Sequence, residues 1–547
     1  MEDEDWTDFA TSDFGSTAVD LWSDVVPLEP SADEGEQPEQ LETHMAEMPR
    51  APSIEGIKHL VRIGTCTHCL GRLCGRSRFD RSSESVGSEV LAEMLESHPP
   101  LETPRGLVEM CPFCEDLMSE VDLLADRIRS GLEGREVQRL QVGARFPRDQ
   151  LDQEDDLRSR FGAAGSAGLK PELVETIASK IIAEMDGTRL VKEKPEVLAL
   201  IDVVTLAVEL DVRSTYLYGR YTKEARDLPQ TRWPCRSCKG RGCERCEGTG
   251  LRYAHSVQDL IGGPLIETMG GADHAFHGMG REDIDVRCLG RGRPFVIEIK
   301  EPERRTVDLA SAMERINEHA DGRIAITDLR PSTRSEVVRI KDTPAEKSYT
   351  VRFTLHPLTD QELATLRAPI VIPERPEQGG KRRGRRRRPQ TPRAEAPPQP
   401  EDLTSLTVAA LKERLKDVGL PVSGTKSALI ERLQAGPEES TLPMPDPSTI
   451  EDVLRRLEGT LLDQRTPVRV SHRRPDLIRK RRVMEIGTIE VHPGDPVAVE
   501  VTLRCESGTY VKETVHGDGG RTQPSFASCL EARCEVEWLD VADIHAD

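Results

Sequence analysis

Gly280-Arg281-Glu282-Asp283-Ile284-Asp285-Val286-Arg287 is followed by Leu289-Gly290-Arg291-Gly292-Arg293-Pro294-Phe295 and then by Val296-Ile297-Glu298-Ile299. The last four residues are apolar and β-branched on both sides of one acid, which predicts a strand. Before it, acids and arginines are packed around glycines. A surface loop seldom needs so many opposed charges beside a buried strand. Two readings stay open on charge pattern alone: a salt-bridged turn, since ion-pair networks are common, or a site where a carboxylate does chemistry.

The surrounding chain alternates helical and strand patterns. Upstream, Val121, Leu124, Ile128 and Leu132 recur at helical spacing, as do Leu173, Ile177, Ile181 and Ile182. The stretches near 197–210 and Tyr216–Tyr221 read as strands. Downstream, Val497, Val499, Val501 and Leu503 alternate with Ala498, Glu500, Thr502 and Arg504, a half-buried strand running toward Tyr510. The fold class expected is α/β (α+β), in several domains.

The 547 residues carry a net charge of −21, which argues at first against nucleic acid as a partner. The distribution reverses that. Residues 1–49 hold fifteen Asp and Glu and no Lys or Arg, so the rest of the chain carries only −6. Basic clusters lie at 381–388, with seven Lys and Arg in eight positions, and at 469–482. An acidic tail thus masks basic working surfaces. No run approaches the ~18 apolar residues of a membrane helix, and the acidic N-terminus lacks a signal-peptide pattern. A cytoplasmic protein without membrane contact is expected.

Eight of the thirteen cysteines form four CxxC pairs. In a long chain without a secretory signal this points to metal rather than disulfides. Cys66, Cys69, Cys111 and Cys114 make two half-sites for one tetrahedral zinc. Cys74 is a spare. Cys235, Cys238, Cys243 and Cys246 lie in two consecutive CxxCxGxG units that resemble half-motifs of the DnaJ-type zinc domain. Their glycines permit tight turns around the ion. Structural zinc is expected in both, since four Cys ligands leave no open position. An iron–sulfur cluster is the minor alternative.

The Gly-Arg-x-Asp motif before a strand resembles the active-site motif of pseudouridine synthases. The longer stretch is similar to the archaeal and eukaryotic family that makes pseudouridine 54 and 55 in the tRNA T-loop. The resemblance implies that Asp283 is the essential carboxylate and Arg281 its partner in catalysis, filling the space left by the flipped base or contacting phosphate. Asp285 matches a family position other than the nucleophile's, and His277-Gly278 fit the approach to the motif. Lys347-Ser348-Tyr349-Thr350-Val351 looks like the strand whose tyrosine, here Tyr349, stacks on the target base. Gly508-Thr509-Tyr510-Val511-Lys512-Glu513 resembles the third motif. It implies that Lys512 pairs with Asp283 and keeps it ionised, while Tyr510, Val511 and, more weakly, Leu539 line the pocket. His516-Gly517-Asp518 and Gly520-Arg521-Thr522 match as scaffold. No cofactor is expected for catalysis. The chemistry breaks C1′–N1, turns the uracil and joins C5 to C1′, and the carboxylate can attack the sugar or the base or take a proton.

Arg465 to Arg469, Arg473, Arg474 and Arg479 to Arg482 read as a phosphate track. Residues 403–436 resemble a SAP motif, in which Thr407 and Thr425 cap helices bearing Leu411, Leu415 and Leu429. The organisation expected is an acidic tail at 1–49, a four-cysteine zinc module at 50–120, a THUMP-like RNA-binding domain at 121–230 and a second zinc knot at 231–250. The first catalytic segment follows at 251–375, an Arg/Pro-rich linker at 376–402, the SAP-like unit at 403–436 and the second catalytic segment at 437–547. The partner is tRNA, with other nucleic acid reached through the SAP-like insertion and arginine run. The rival readings are a non-catalytic nucleic-acid-binding scaffold and a THUMP methyltransferase. The methyltransferase reading lacks the glycine-rich nucleotide turn it would need.

Overall fold

A computed structural model describes residues 51–76, 81–98, 110–372, 403, 406–417, 421–435, 441–472 and 474–546. The acidic tail at 1–49 and the linker at 376–402 lie outside these residues. The described residues divide into two compact units.

The first unit begins with three short helices, α1 (Ile54–Arg62), α2 (Thr67–Leu73) and α3 (Ser83–Ser97). Ser53 caps α1 through Gly56 N. Gly71 and Gly87 face the opposing backbones, because a Cβ on Gly87 would strike Thr67 O and one on Gly71 would strike Ser83 O. Then come α4 (Val121–Leu132), β1 (Arg139–Arg145), α5 (Arg148–Phe161), α6 (Leu169–Glu184), β2 (Arg189–Leu190), β3 (Val197–Asp202) and β4 (Ala207–Val212). The sheet order is β2-β1-β3-β4, with β1 parallel to β2 and β3 and β4 antiparallel to β3.

Alternation places Leu140, Val142 and Ala144 of β1 and Val197, Ala199 and Ile201 of β3 on one face, under Leu124, Ile128, Leu173, Ile177 and Ile181. The same buried cluster contains Cys66, Cys69, Cys111 and Cys114. The buried residues between 51 and 203 thus form one continuous cluster, which the zinc-ligand cysteines expected at 50–120 share with the sheet of the THUMP-like stretch. The sheet also borders a cavity of about 510 Å³ lined by Gln141, Gly143, Leu198, Leu200, Lys170 and Lys192, among others. The first unit continues through the knot at 235–246 and α7 (Val257–Met269) to β6 (Asp273–Gly278), α8 (Leu309–Ala320) and β8 (Ile324–Ser332).

Two strands, β5 (Thr215–Lys223) and β7 (Arg287–Lys300), are shared: 221–227 and 280–294 are counted with the second unit, 295–341 with the first. The stretch 251–375 therefore contributes residues to both units. Gly290-Arg291-Gly292-Arg293-Pro294, expected before the strand, lies within β7. Gly290 and Gly292 adopt φ of 61° and 74° there, and a side chain on Gly292 would press on Tyr221 O.

The second unit adds β9 (Glu346–His356), α9 (Asp360–Arg367), α10 (Val408–Asp417), α11 (Lys426–Ala435), β10 (Leu461–Arg465), β11 (Ile478–His492), β12 (Val497–Cys505), α12 (Val511–His516), β13 (Thr522–Gln523) and β14 (Arg533–His545). Its sheet runs β13-β10-β11-β12-β9-β14-β7. All neighbours are antiparallel except β14 with β7, paired in parallel at Asp540–Arg287 and Val541–Cys288. The α10–α11 pair closes on Leu411, Leu415 and Leu429. Thr407 and Thr425 cap these helices through Ala410 N and Ala428 N, as the sequence suggested. Among the described residues no helix is long and apolar enough to cross a membrane.

Gly87→Ala should force α2 and α3 apart and cost about 1–3 kcal/mol by overpacking. Limited proteolysis of the full chain should show faster cleavage within residues 51–120. An unchanged rate would refute the close-contact account.

Candidate active site

The loop Gly280–Val286 is fixed from beneath. Gly280 takes φ of 74°, and Val286 N donates to Asp283 O at 3.1 Å. Glu282 turns inward, where its carboxylate lies 2.8 Å from Arg293 Nε with both side chains essentially excluded from solvent. The Tyr221 hydroxyl donates to the same carboxylate, 2.8 and 3.0 Å from its two oxygens. Lys223, wholly buried, donates from Nζ to Asp283 O at 3.3 Å and Ile284 O at 2.9 Å. Burial pulls the Lys223 pKa below its usual value. Arg226 donates to Asp285 O at 3.0 Å and to the buried Asp540 at 2.8 Å. Asp540 also accepts from Arg287 N at 3.1 Å and from its guanidinium at 3.0 and 2.8 Å.

With Glu282 inside, Asp283 is directed outward and its side chain is 44% exposed. Arg469 Nη1 donates to Asp283 Oδ2 at 3.4 Å. Lys512 Nζ is 3.7 Å from the same oxygen but 3.1 Å from Asp285 Oδ2. The Lys512–Asp283 pairing is therefore present, though Asp285 is the nearer partner. Burial opposes ionisation of Asp285, yet the Lys512 ammonium outweighs it and holds that carboxyl below the usual range. Arg469 is itself held by the buried Glu513, at 2.6 Å from Nε to Oε1 and 3.4 Å from Nη2 to Oε2. The result is an alternating chain of charge: Glu513, Arg469, Asp283, Lys512, Asp285.

Lys512 and Glu513 open α12, and buried Gln464 on β10 sets that helix. Gln464 donates to Tyr510 O at 3.0 Å and accepts from Tyr510 N at 2.9 Å. The Tyr510 hydroxyl accepts from Arg474 at 3.4 Å. Val511 is buried. Arg281 is exposed on the loop beside Asp283. Tyr349 lies on β9, paired with Leu503 and Val541, and burial pushes its hydroxyl pKa upward. Leu539, on β14, is buried opposite Val351. The ammonium of Lys347, two residues from Tyr349, has its pKa lowered to about 8 by burial and by the nearby Arg293 charge.

The expected phosphate track is only partly free for RNA. Arg465 is committed to Asp476 through contacts of 2.9, 3.0 and 2.5 Å. Arg521 holds Thr466 O and Asp476, and Asp518 accepts from Val468 N at 3.0 Å. These residues build the 465–476 turn that carries Arg469. His516 accepts from Asp518 N at 3.0 Å, consistent with a scaffold role. Sequence reasoning missed Tyr221, Lys223, Gln464 and Asp540, whose neighbours in space are remote in the chain. The signal for Glu282 and Arg293 was present as charge density beside a strand.

The first unit holds two cysteine sets: Cys66, Cys69, Cys111, Cys114, and Cys235, Cys238, Cys243, Cys246. In each, one ligand atom per residue lies within 4.8 Å of the others. Four thiolates about 2.3 Å from one tetrahedral ion stand roughly 3.8 Å apart. The measured Sγ separations fit this: 3.7 Å for Cys66–Cys114, 3.9 Å for Cys235–Cys243 and 3.8 Å for Cys238–Cys246. Cys66 caps α2 through Cys69 N. Buried Arg72 reaches Cys69 Sγ at 3.6 Å and Glu154 at 2.6 Å, a cation placed to offset thiolate charge. Cys74 belongs to neither set.

Residues 216–398 and 443–545 match the family described as Pus10, C-terminal. Residues 124–202 match the archaeal Pus10 THUMP domain, and 402–435 the SAP domain. The tRNA pseudouridine synthase Pus10 of Methanothrix thermoacetophila is 33% identical over 438 residues, covering 80% of this chain and 77% of the relative. That of Methanothermobacter marburgensis is 32% identical over 486 residues, covering 88% and 94%. That of Archaeoglobus fulgidus is 31% identical over 438 residues, covering 80% and 95%. The solved Cbf5–Nop10–Gar1 complex aligns with a TM-score of 0.24 at 12% identity, over 60% of this chain and 50% of that one, too low for a shared fold to be argued. The chain belongs to the Pus10 family.

Glu282→Ala leaves Arg293 buried without its counter-ion, and should cost about 3–5 kcal/mol. Urea unfolding followed on the full chain checks this, and a loss below ~1 kcal/mol would refute the clamp. Lys347 gives a pH signature. Its folded pKa near 8 is below the usual 10.5. Between those values the unfolded chain binds more protons, so this residue's contribution to stability rises with pH. Lys347→Met should stabilise the protein most at pH 7, with the advantage over wild type fading as pH passes 8 toward 10. A pH-independent difference in melting temperature would contradict it.

Proposed function

We infer that this protein is a tRNA pseudouridine synthase whose substrates are the T-loop uridines 54 and 55. The observation that carries the reading is the half-exposed Asp283 carboxylate, flanked by Arg469 and Lys512 on a rigidly anchored loop, in a chain of the Pus10 family. The relatives named above are tRNA pseudouridine synthases. A non-catalytic scaffold would not need a carboxylate poised between cations that are themselves fixed.

The reaction is an isomerisation, with the atoms of uridine retained. The uridine leaves its stack, at a cost of a few kcal/mol. Asp283 acts on the sugar or base while C1′–N1 breaks, the uracil is retained as C5 bonds to C1′, and the proton lost from C5 is balanced by one gained at N1. Arg469 and Lys512 flank this carboxylate at 3.4 and 3.7 Å. Tyr349 is assigned to hold the base by stacking, Tyr510, Val511 and Leu539 to wall the pocket, and Arg281 to contact the RNA beside the vacated position. The cysteine sets hold structural zinc, since four thiolates leave no position for a reacting water. The THUMP and SAP matches support RNA binding around this centre, with the SAP unit as a sequence-independent grip. A cytoplasmic site of action belongs to the same reading.

Incubation with unmodified tRNA and chemical mapping of pseudouridine should show product at the T-loop. Asp283→Asn should lower the rate by about 10²–10⁴-fold while tRNA binding persists. Product formed equally by the variant would dismiss Asp283, and none from wild type would dismiss the enzyme. Glu513→Gln tests the charge chain separately. Loosening Arg469 should cut kcat by roughly 10- to 100-fold, the range of a charged hydrogen bond worth about 1.5–3 kcal/mol, with little change in tRNA affinity. A selective loss of affinity instead would make Glu513 a binding element.

A further inference from the structure

The knot at 235–246 has a composition that metal binding alone does not require. Once four thiolates and the turning glycines are in place, the remaining positions need only remain soluble. Here they include Arg236, Lys239, Arg241 and Arg245, all exposed, against Glu244 and Glu247. The whole chain carries −21, so this local excess of cations runs against its average.

The base of the knot supplies a second, independent feature. Pro234 and Leu251 form an antiparallel bridge, with Cys235 N donating to Gly250 O at 2.7 Å and Arg252 N to Trp233 O at 2.8 Å. This closure sets Trp233 against Tyr253, ring centroids 5.5 Å apart and edge-on at 78°. The Arg252 guanidinium is 5.3 Å from the Trp233 centroid and 5.2 Å from that of Tyr253. Both rings are only half-buried, so part of the aromatic surface faces outward. Trp233 is one of only four tryptophans in the chain, and it sits half-buried beside Arg252 rather than in a core.

We propose that the knot is an RNA-contact surface: Arg236, Lys239 and Arg245 engage phosphates of the tRNA substrate, and the Trp233–Arg252–Tyr253 cluster offers a face on which an unpaired base stacks. Lys and Arg supply the sequence-independent charge term in RNA binding. Aromatic rings and guanidinium planes are the surfaces on which splayed bases stack. An acidic protein surface would satisfy the cations but gives no use for the rings. The inference rests on the reading that tRNA is the substrate.

The test uses the full chain and unmodified tRNA. Arg236→Gln, Lys239→Gln and Arg245→Gln are combined, which spares all four cysteines and Arg241, whose Nε holds Cys238 O at 3.2 Å. Kd is measured across salt concentrations, with bound zinc assayed in parallel. The triple variant should keep its zinc, weaken binding by about tenfold or more, and flatten the slope of log Kd against log salt by roughly 2–3, at ~0.7–0.9 per phosphate contact. Trp233→Ala should weaken binding by at least about fivefold without altering the salt slope, while Trp233→Phe restores much of the affinity. Should the triple variant lose zinc, the single Lys239→Glu variant carries the salt-slope measurement instead. Unchanged Kd and slope in zinc-loaded variants, beside a wild type that binds and modifies tRNA, would overturn the proposal. A wild type that fails to bind tRNA at all would overturn the substrate reading and this inference with it.

Discussion

The buried Glu282–Arg293 ion pair is the constraint on which the site depends. Two charges taken out of water are tolerated only when each is paired and hydrogen-bonded, and removing one partner leaves the other at high cost. That requirement fixes the loop: Glu282 must stay inside with Arg293 and Tyr221, so its successor Asp283 must face out. Lys223 completes the arrangement by holding the carbonyls of Asp283 and Ile284. A loop whose backbone oxygens bind a buried ammonium has little freedom to reorient. Pre-organisation of this kind lets a surface-accessible carboxylate keep one geometry.

Much of this was legible as composition and little of it as geometry. The density of opposed charges at 280–295 announced an unusual loop, and the family resemblance singled out Asp283 and Lys512. Periodicity located α4, α6 and β12. Neither could show that Arg465 is spent on Asp476 or that Arg469 reaches Asp283, because an arginine's partner is set by folding across long chain separations. Gln464 and Asp540 were missed for the same reason. Each sits among other polar residues of its strand and is set apart only by its burial. Likewise the packing of Tyr221 and Lys223 beneath the 282–284 loop was invisible. Residues 221–227 join the second unit because Tyr221 and Lys223 are needed beneath the loop, a requirement no local pattern states.

The metal sets and the active cluster show two opposite uses of charge. At Cys66, Cys69, Cys111 and Cys114 the sulfurs are buried within a hydrophobic core that extends to Val203, so a metal bound there would couple to the folding of the adjoining sheet. At Cys235, Cys238, Cys243 and Cys246 little apolar surface accompanies the ligands. A metal ion bound there would supply most of the order, leaving the rest of the sequence open to other contacts.

The alternating chain Glu513–Arg469–Asp283–Lys512–Asp285 has a gradient of distance that bears on reactivity. Each cation makes its shorter contact with the outer carboxylate, at 2.6 Å for Arg469 with Glu513 and 3.1 Å for Lys512 with Asp285. Its longer contact goes to Asp283, at 3.4 and 3.7 Å. A carboxylate gripped by two short, charge-assisted bonds would be ionised but poorly able to approach a substrate. One left without cations would be free to move but would lose the field that favours its charge. Asp283 lies between these limits: two cations flank it at 3.4 and 3.7 Å, and neither holds it closely. The outer carboxylates thus do more than balance charge. By holding Arg469 and Lys512 back, they leave the central oxygen in two long ion pairs, either of which a closer partner could displace.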